Sequence, residues 1–519
     1  MPFLARARAA GAPVARFVER EVRNYLECGV LAHGFLRVHC DACGHDRLVA
    51  FSCKGRGFCP SCGGRRMADT AAHLVDRVLP EVPIRQWVLT LPYPLRYRCA
   101  WNARLTSEVL RAFLRALFAD QRRRARAFHG IRKGQCGSVT FIQRFGSALN
   151  LTPHFHTLVL DGVYVGPSHS PGDFAALPAP ETEDVARVLA GTARRILRRL
   201  ERNGADEEDD PLAGDDPLMA MLGAASIRSR IATGPEAGEP WRRLGDRVEP
   251  VAEDEAGVEL RAVVPPRCVR QGGMSLHADV AVPARDRQRL ERLCRYVARP
   301  PLALGRLEAL SDGRLAYRLK TPWRDGTTHV VMERRELLER LAPLIPPPRA
   351  HQVRYHGVLA PCSSARDHVV PAGPETLETA LSSREAGAGS TGAADGGGAS
   401  LGADPPIDLP GDRSESLPRR IAWADLLKRV FEVDALRCPA CSGRMRLLAA
   451  ITDPSVARRI LECLALPPRA PPLALASEDR LETVIGPRAF EPMLAEAHRD
   501  PGFDFDQSPT DDRFSNEDS

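Results

Sequence analysis

Two Cys-x-x-Cys pairs within the first 62 residues have the residue types and the spacing of a metal site. Cys40 and Cys43 form the first pair, Cys59 and Cys62 form the second, and fifteen residues separate the pairs. Each pair can hold one edge of a tetrahedral zinc ion, and the four thiolates together complete its coordination. A redox dithiol would need one such pair and not two. The sequence therefore predicts one structural Zn²⁺ bound by these four cysteines.

Other cysteines and histidines lie close enough in sequence to complicate this assignment. Cys53 lies between the two pairs, and it could replace a ligand or hold a second ion with the neighbouring Cys28, His33, His39 and His45. We predict one ion and not two. Far downstream, Cys438 and Cys441 form half of a similar ribbon with no obvious partner. A vestigial or dimer-shared metal site and a plain turn explain that late pair equally well.

Basic side chains surround the N-terminal cysteines. Lys54, Arg56, Arg65 and Arg66 lie within or next to the predicted knuckles, where they could rest on the phosphates of DNA. The alternative is a purely structural module that supports the domain after it. The first 133 residues carry 24 basic and 10 acidic side chains, which suits a polyanionic partner. A genome of high GC content would also favour arginine, so charge alone leaves the partner open.

His154, Phe155 and His156 open an apolar strand that continues through Leu160. Alternation along a strand places both imidazoles on one face and Phe155 on the other, where it can anchor the strand in the core. Two imidazoles on one face can bind a divalent ion, which then needs a third ligand. Gln143 belongs to the preceding strand, and hairpin pairing would bring its amide oxygen, a suitable ligand for Mg²⁺ or Mn²⁺, near His154. The alternative is an incidental pair of histidines.

Tyr296 lies on a predicted helix from Arg285 to Ala298. At about 100° per residue, the apolar side chains of this helix form one stripe, which comprises Leu290, Leu293, Cys294 and Val297. A different face carries Arg289, Arg292 and Arg299, and we expect Tyr296 to project beside these arginines and not into the stripe. A phenol flanked by guanidinium groups could act as a nucleophile, since positive charge favours the phenolate and holds a phosphate. The alternative is a surface tyrosine whose ring packs on arginine stems.

Hydrophobic periodicity predicts the elements that position these side chains. Helices are expected at 14–28, 105–126, 185–202 and 423–433, strands at 84–91, 137–145 and 155–165, and a hairpin from 315–320 and 327–333. The predicted fold class is α+β, with an antiparallel sheet that carries His154 and His156 on a central strand. The Tyr296 helix is expected to pack alongside this sheet.

Composition divides the chain into regions. We predict a zinc-binding domain at 1–90, a second domain at 91–370, a flexible linker at 371–418, a helix and Cys-pair region at 419–470, and an acidic, largely disordered tail at 471–519. The acidic stretch 206–216 is expected to be an exposed loop. No run of about 18 uncharged apolar residues occurs, and no signal-peptide core follows Arg6 and Arg8. We therefore expect an intracellular protein without a membrane partner.

Ordered motifs in the chain resemble those of rolling-circle insertion-sequence transposases of the IS91 type. They are Phe51-Ser-Cys-Lys54 before Cys59-Pro-Ser-Cys62, Gln143-Arg-Phe-Gly146 before His154-Phe-His156, Arg295-Tyr296 before Arg299-Pro-Pro301, Tyr355-His-Gly-Val-Leu-Ala-Pro361, and the late ribbon of Cys438 and Cys441. The resemblance covers roughly residues 15–366 and 422–461. It implies a nuclease core of the His-hydrophobic-His class, with His154 and His156 as metal ligands and Tyr296 as the nucleophile. The N-terminal cysteines would match the zinc-binding domain of the family.

The resemblance also implies an activity: cleavage and rejoining of single-stranded DNA at the ends of an element. Tyr296 would form a 5′-phosphotyrosine link and release a 3′-hydroxyl, while Mg²⁺ or Mn²⁺ polarises the phosphate. The arginine face (Arg289, Arg292 and Arg299) would follow the DNA backbone. A transposase of this kind is expected in the bacterial cytoplasm, in association with the nucleoid.

Two positions depart from the family pattern. Some relatives have a second tyrosine four residues earlier, where this chain has Arg292, so two strand transfers would need a homodimer or a second use of Tyr296. In some related nucleases the third metal ligand lies four residues after the tyrosine, but Pro300 occupies that position, and Gln143 is our provisional choice. Two other functions are alternatives: a replication initiator or relaxase of the same nuclease class, and a non-catalytic zinc-ribbon protein that binds DNA.

Overall fold

The computed structural model describes residues 2–9, 13–166, 173–202, 216–245, 266–323, 325–371, 426, 428–429, 434 and 436–466. Its helices are α1 (Pro2–Ala9), α2 (Arg16–Glu27), α3 (Pro60–Arg77), α4 (Tyr93–Trp101), α5 (Ala103–His129), α6 (Thr182–Arg202), α7 (Pro217–Ile227), α8 (Arg287–Ala298), α9 (Arg334–Leu341), α10 (Arg366–Val369) and α11 (Pro454–Cys463). Its strands are β1 (Phe35–Cys40), β2 (Asp46–Ala50), β3 (Ile84–Thr90), β4 (Gly137–Phe145), β5 (Leu151–Leu160), β6 (Gly162–Tyr164), β7 (Phe174–Ala176), β8 (Arg242–Gly245), β9 (Cys268–Gln271), β10 (Met274–His277), β11 (Ala281–Val282), β12 (Leu307–Ala309), β13 (Leu315–Arg318), β14 (Thr327–Met332), β15 (Val353–Gly357) and β16 (Met445–Ile451).

An antiparallel sheet in the strand order β15-β4-β5-β3-β10-β9 forms the centre of the fold, and β11 also pairs with β3. This arrangement confirms the predicted α+β class with antiparallel pairing. β5 is a central strand, and its register with β4 places Gln143 opposite His154. On the other side of β5, Thr90 of β3 lies opposite His154 and Val88 lies opposite His156. β5, which carries both histidines, is therefore hydrogen-bonded to a strand on each side, β4 and β3.

Helices cover both faces of this sheet. α5 and α6 pack together over one face, where the core includes Trp87, Leu89 and Phe155. α3 and α8 pack against each other over the other face, where the core includes Phe141 and Leu158. Since side chains alternate along β5, Phe155 points into the first core, as predicted, and is fully buried. The two histidines face the layer formed by α3 and α8.

A smaller sheet in the order β16-β1-β2 joins segments from the two ends of the chain. β16 pairs with β1 from Phe35 opposite Ile451 to Cys40 opposite Met445, and α11 buries Leu461 against Phe35. The prediction that residues 419–470 form a region apart from 1–90 is corrected by this pairing. Backbone hydrogen bonds between β1 and β16 make one module of the two segments, and no local sequence pattern indicates such a distant partner.

α3 is not indicated by the sequence pattern, because its start contains Cys62, Gly63 and Gly64 and resembles a metal knuckle more than a helix. Pro60 occupies the start of the helix, where its fixed φ is favourable and its missing N–H has no cost. The buried side of α3 includes Met67 and other apolar residues, and it packs against α8. The cysteine-rich N-terminus is thus directly continuous with the layer above the histidines.

The other sequence predictions have mixed outcomes. The helices predicted at 14–28, 105–126 and 185–202 correspond to α2, α5 and α6, and the predicted hairpin is formed by β13 and β14. The linker 371–418, the tail 471–519, the loop 206–216 and the helix 423–433 lie outside the described residues, apart from residues 216, 371, 426, 428 and 429. Among the described residues, no helix combines the length and the apolar character needed to cross a membrane.

Candidate active site

The two histidines of β5 lie side by side in the core. His154 is 1% exposed and His156 is 0% exposed, and their Nε2 atoms are 3.0 Å apart. His154 donates from Nδ1 to the carbonyl oxygen of Thr152 over 2.7 Å, which leaves its Nε2 lone pair directed towards His156. Burial lowers the pKa of His154 to about 4, and burial also holds the pKa of His156 well below its ordinary value. Both rings are therefore neutral near pH 7.

Gln86 of β3 contacts the second histidine. Its side-chain nitrogen Nε2 lies 2.7 Å from Nδ1 of His156. Donation from this nitrogen leaves the His156 proton on Nε2, which then donates to Nε2 of His154. If the Gln86 amide is turned by 180°, its Oε1 accepts a proton from Nδ1 of His156 instead. The Nε2 lone pairs of both histidines are then free to bind one shared ligand. Gln86 is not among the site residues predicted from the sequence, although a polar residue within the apolar strand 84–91 is a usable signal.

The donor set fits a divalent metal ion. Two nitrogens that each lie about 2.1 Å from an octahedral ion, at right angles, are about 3.0 Å apart. Gln143 lies opposite His154, and directly paired residues carry their side chains on one face of the sheet. Its Nε2 donates to the carbonyl oxygen of Val297 over 2.8 Å, while its Oε1 is buried without a hydrogen-bond partner among the described residues. An unpaired buried acceptor is costly, so Gln143 suits the role of third ligand, which stays a prediction.

Tyr296 lies beside the histidine pair and not at the surface. It is 2% exposed, and its ring centroid is 5.9 Å from that of His156, with an angle of 89° between the ring planes. The expectation that Tyr296 projects beside surface arginines is therefore wrong. On a helical wheel Tyr296 lies about 60° from Leu293, at the border of the apolar stripe. α8 buries this border as well, because both α3 and the sheet cover the helix.

Two cations contact the ring of Tyr296. The guanidinium carbon of Arg299 lies 4.2 Å from the ring centroid, and Nζ of Lys320 lies 5.0 Å from it. Arg299 is 8% exposed, whereas Arg292 is exposed and Arg289 is partly exposed. The predicted grouping of the three arginines on one face is corrected, because Arg299 follows the end of α8 in an extended conformation and the helical wheel no longer applies. Lys320 was missed, since it follows β13 and no nearby pattern marks it.

A first cysteine cluster comprises Cys28, Cys53, Cys59 and Cys62, whose sulfurs all lie within 4.8 Å of one another. The separations include 3.7 Å between Cys28 and Cys62, 3.6 Å between Cys28 and Cys59, and 3.3 Å between Cys53 and Cys62. Four sulfurs around a tetrahedral zinc ion are about 3.8 Å apart. The backbone N–H of Gly55 also donates to the sulfur of Cys53, which stabilises a thiolate. This cluster therefore fits one structural Zn²⁺.

A second cysteine cluster comprises Cys40, Cys43, Cys438 and Cys441. The prediction that Cys40, Cys43, Cys59 and Cys62 share one ion is therefore wrong. Cys40 and Cys43 lie at the tip of the hairpin formed by β1 and β2, whereas the first cluster lies at its open end. Five extended residues span roughly 17 Å, too far for one ion. The late Cys-x-x-Cys pair is neither a plain turn nor without a partner, because it faces Cys40 and Cys43 of the same chain.

The histidines near these cysteines do not join either cluster. His39 Nδ1 instead lies 2.8 Å from a carboxylate oxygen of Asp46. His33 and His45 are also outside both groups of sulfurs. The described part of the chain therefore offers two sets of four thiols, where the sequence predicted a single set and one ion.

The first cysteine cluster lies next to the end of the Tyr296 helix. A Cβ atom added to Gly63, in the first turn of α3, would lie 2.5 Å from Cβ of Pro300. From α8, Arg287 donates to the carbonyl oxygen of Val75 in α3, and also to those of Leu79 over 3.0 Å and Pro80 over 3.3 Å just after α3. These contacts fix α3 against α8. The N-terminal module therefore supports the helix that carries Tyr296, in agreement with the structural role that the sequence left open.

The basic residues near the first cluster are accessible. Lys54, Arg56, Arg65 and Arg66 are all exposed. Arg56 donates to the carbonyl oxygen of Ala350 over 2.6 Å, and Arg66 donates to that of Lys54 over 3.2 Å. These bonds hold two guanidinium groups beside the cluster. Contact between these residues and DNA phosphates stays a prediction.

Comparisons with known proteins match most of the chain. Residues 137–367 match the family model described as "Putative transposase", and residues 4–91 match the model of the IS91 "Transposase zinc-binding domain". The transposase for insertion sequence element IS801 of Pseudomonas savastanoi pv. phaseolicola is 23% identical to this chain over 448 residues, which are 84% of each protein. No solved structure matches the chain. The first matched range contains the histidines and Tyr296, and the second contains the whole first cysteine cluster.

Proposed function

The chain is a transposase of the IS91 type, and on this premise we propose that it cleaves and rejoins single-stranded DNA through a 5′-phosphotyrosine on Tyr296. The observation that carries the proposal is the contact between Tyr296 and the histidine pair, with ring centroids of Tyr296 and His156 5.9 Å apart. The side chain proposed as the nucleophile, from α8, therefore lies against the side chains proposed as metal ligands, from β5. DNA is the partner on which a transposase acts.

In the proposed cleavage step, the phenol oxygen of Tyr296 attacks the scissile phosphorus. The bond from this oxygen to phosphorus forms, the bond from phosphorus to the 3′ oxygen breaks, and the 3′ oxygen takes up a proton while the phenol loses one. Since the phosphotyrosine keeps a phosphodiester bond, attack by a 3′-hydroxyl reverses the step and rejoins strands without ATP. Two successive transfers would use Tyr296 from two copies of the chain, or Tyr296 twice.

The residues around Tyr296 bind and orient the reacting groups. His154 and His156 would hold Mg²⁺ or Mn²⁺ through Nε2, with Gln143 as third ligand, and the bound ion would supply Lewis acidity at the phosphate. Arg299 and Lys320 supply positive charge where the phosphate must lie, which stabilises negative charge that develops in the transition state. Because Tyr296 and both histidines are at most 2% exposed, DNA entry requires the side chains over the phenol to move.

A single-stranded DNA that carries the element ends tests the proposal. With Mn²⁺ or Mg²⁺ we expect an SDS-resistant complex that retains a label placed 3′ of the cut, and a second product with a 3′-hydroxyl that a polymerase extends. Chelation should abolish both products, and the same sequence as duplex should react at least about 10-fold more slowly, because the strand must first be unpaired. Linkage through the label placed 5′ of the cut, or cleavage without any covalent complex, would contradict the proposal.

Gln86→Leu is expected to raise the Mn²⁺ concentration needed for half-maximal covalent complex by about 10–100-fold, because a partner that orients a metal-binding histidine is lost. A Mn²⁺ titration of complex formation measures this shift, and saturating Mn²⁺ should restore much of the yield. Gln121→Leu is the matched control, since it removes another buried glutamine, which donates to the carbonyl oxygen of Leu160 over 2.8 Å. If the two variants required the same Mn²⁺ concentration, Gln86 would not orient His156 for metal binding.

A further inference from the structure

We infer that the second cysteine cluster, Cys40, Cys43, Cys438 and Cys441, binds a second structural Zn²⁺. The ion would join the C-terminal segment (residues 436–466) to the hairpin of β1 and β2. Two of the four ligands lie outside both ranges that match family models. The inference concerns the assembly of the chain and is independent of the proposed cleavage chemistry.

The thiol geometry is that of a metal site. Cys40 Sγ lies 3.5 Å from Cys441 Sγ, and Cys43 Sγ lies 3.6 Å from Cys438 Sγ. All four sulfurs lie within 4.8 Å of one another, and tetrahedral zinc–thiolate sites have sulfurs about 3.8 Å apart. Each chain segment contributes one buried and one exposed cysteine, so the site lies at the protein surface with an entry path for the ion.

The two Cys-x-x-Cys turns have the same backbone construction. Gly44 N–H donates to the carbonyl oxygen of Cys40 over 2.8 Å, and Ser442 N–H donates to that of Cys438 over 2.9 Å. Gly44 has a φ of 74° and Ser442 has a φ of 63°. A left-handed conformation is unfavourable for serine. Ser442 adopts it because its N–H closes the second turn through the hydrogen bond to Cys438. Both turns therefore aim their sulfurs inwards, as metal knuckles do.

The two turns meet closely at Gly443, where a side chain would be crowded. A Cβ atom added to Gly443 would lie 3.2 Å from Cys441 Sγ, 3.3 Å from Cβ of Ala42 and 3.4 Å from Cys40 Sγ. The Gly443 N–H also lies 3.4 Å from Cys441 Sγ, to which it donates. Such N–H···S bonds stabilise a thiolate. The contact between the turns is therefore close enough for all four sulfurs to reach one ion.

The buried core immediately around the four cysteines is small, and the β1–β16 pairing and the packing of α11 on Phe35 lie outside it. The cluster of buried side chains at this site consists of Val38, Cys40, Cys438 and Met445, with Val49 packed beside it. Small modules with so little buried apolar surface usually depend on a metal or on disulfides. The main alternative is a pair of disulfides, but all four cysteines are free thiols, and their sulfurs are well beyond the S–S bond length of about 2.05 Å.

Arg429 forms a second attachment between the C-terminal part of the chain and the helices above the histidines. Arg429 donates to Asp76 of α3 over 3.1 Å and to Glu291 of α8 over 2.7 Å. The C-terminal part of the chain is therefore attached both to the hairpin tip and to the two helices above the histidines. With Zn²⁺ bound, the four thiols lose their protons and close a link between segments about 400 positions apart. The ion would thus hold the C-terminal segment on the module that supports Tyr296.

Zinc content and cysteine reactivity of the full chain test this inference. We expect two zinc ions per chain, and one in the Cys438→Ser/Cys441→Ser double variant. Cys463→Ser is the matched control, since Cys463 is an exposed cysteine of the same segment outside both clusters, and it should keep both ions. Trypsin should cleave at Arg444 or Arg446 at least about 10-fold faster in the double variant, because the turn before β16 loses its link to Cys40 and Cys43 and the adjoining end of the strand pair opens more often. Unchanged zinc in the double variant, or one zinc in the unmodified chain, would overturn the inference.

A measurement on the unmodified chain covers the case in which the double variant does not fold. Cys43, Cys441, Cys362 and Cys463 are all exposed. We expect alkylation of Cys43 and Cys441 to be at least about 10-fold slower than that of Cys362 and Cys463, and a chelator should remove the difference. Equal rates for all four cysteines would overturn the inference. Protection that a reductant removes, but a chelator does not, would indicate disulfides and would also overturn it.

Discussion

Tyr296→Phe is expected to lower the yield of covalent protein–DNA complex by at least about 10³-fold, because the variant lacks the oxygen that bonds to phosphorus. The change removes one hydroxyl and keeps the ring, so the contacts with His156, Arg299 and Lys320 are retained. We therefore expect the free energy of unfolding to change by about 1 kcal/mol or less. Single-turnover assays on single-stranded DNA, with denaturation of both proteins, measure the two effects separately.

Tyr164→Phe is the matched control for this experiment. Tyr164 is fully buried in the same hydrophobic core as Tyr296. The Tyr164→Phe variant also loses one hydroxyl, and we expect it to form the covalent complex in undiminished yield. An undiminished complex in Tyr296→Phe would show that another residue is the nucleophile. Tyr355 would then be the first to examine, since Arg366 lies 5.6 Å from its ring centroid and it projects from β15 of the same sheet.

Cys62→Ser is expected to remove one zinc ion per chain and to lower the melting temperature by about 10 °C or more. Zinc bound by structural sites contributes about 10 kcal/mol or more to folding in small modules, and a few kcal/mol shift the melting temperature of a large domain by roughly this amount. Cys62 lies in the first turn of α3, next to Gly63, which contacts Pro300. We therefore expect complex formation to fall as well, even with Mn²⁺ in excess.

Cys136→Ser separates the loss of metal from the cost of a buried hydroxyl. Cys136 is 3% exposed and belongs to neither cysteine cluster. Zinc measurement and thermal unfolding should show an unchanged zinc content and a smaller decrease in melting temperature. If Cys62→Ser kept its full zinc content, or if the two variants unfolded at the same temperature, the first cluster would not be a structural zinc site.

The sequence by itself determined what depends on near neighbours. Alternation with a period of two placed Phe155 in one core and the histidines on the opposite face, as the structure shows. Because the connection between the two predicted strands is short, the sequence also predicted the hairpin pairing that brings Gln143 opposite His154. The spacing of Cys-x-x-Cys identified the turns whose thiols enter the two cysteine clusters, since the placement of two thiols on one tight turn is determined within four residues.

Only the tertiary structure decided which of these parts meet. The partners of Cys40 and Cys43 are Cys438 and Cys441, because β16 pairs with β1 and no local pattern encodes that choice. Tyr296 is buried and not exposed, because a helical wheel defines directions around an axis but not how much of that surface α3 and the sheet cover. Periodicity arises from the geometry of one element, whereas ligand sets and burial arise from contacts between elements that are distant along the chain.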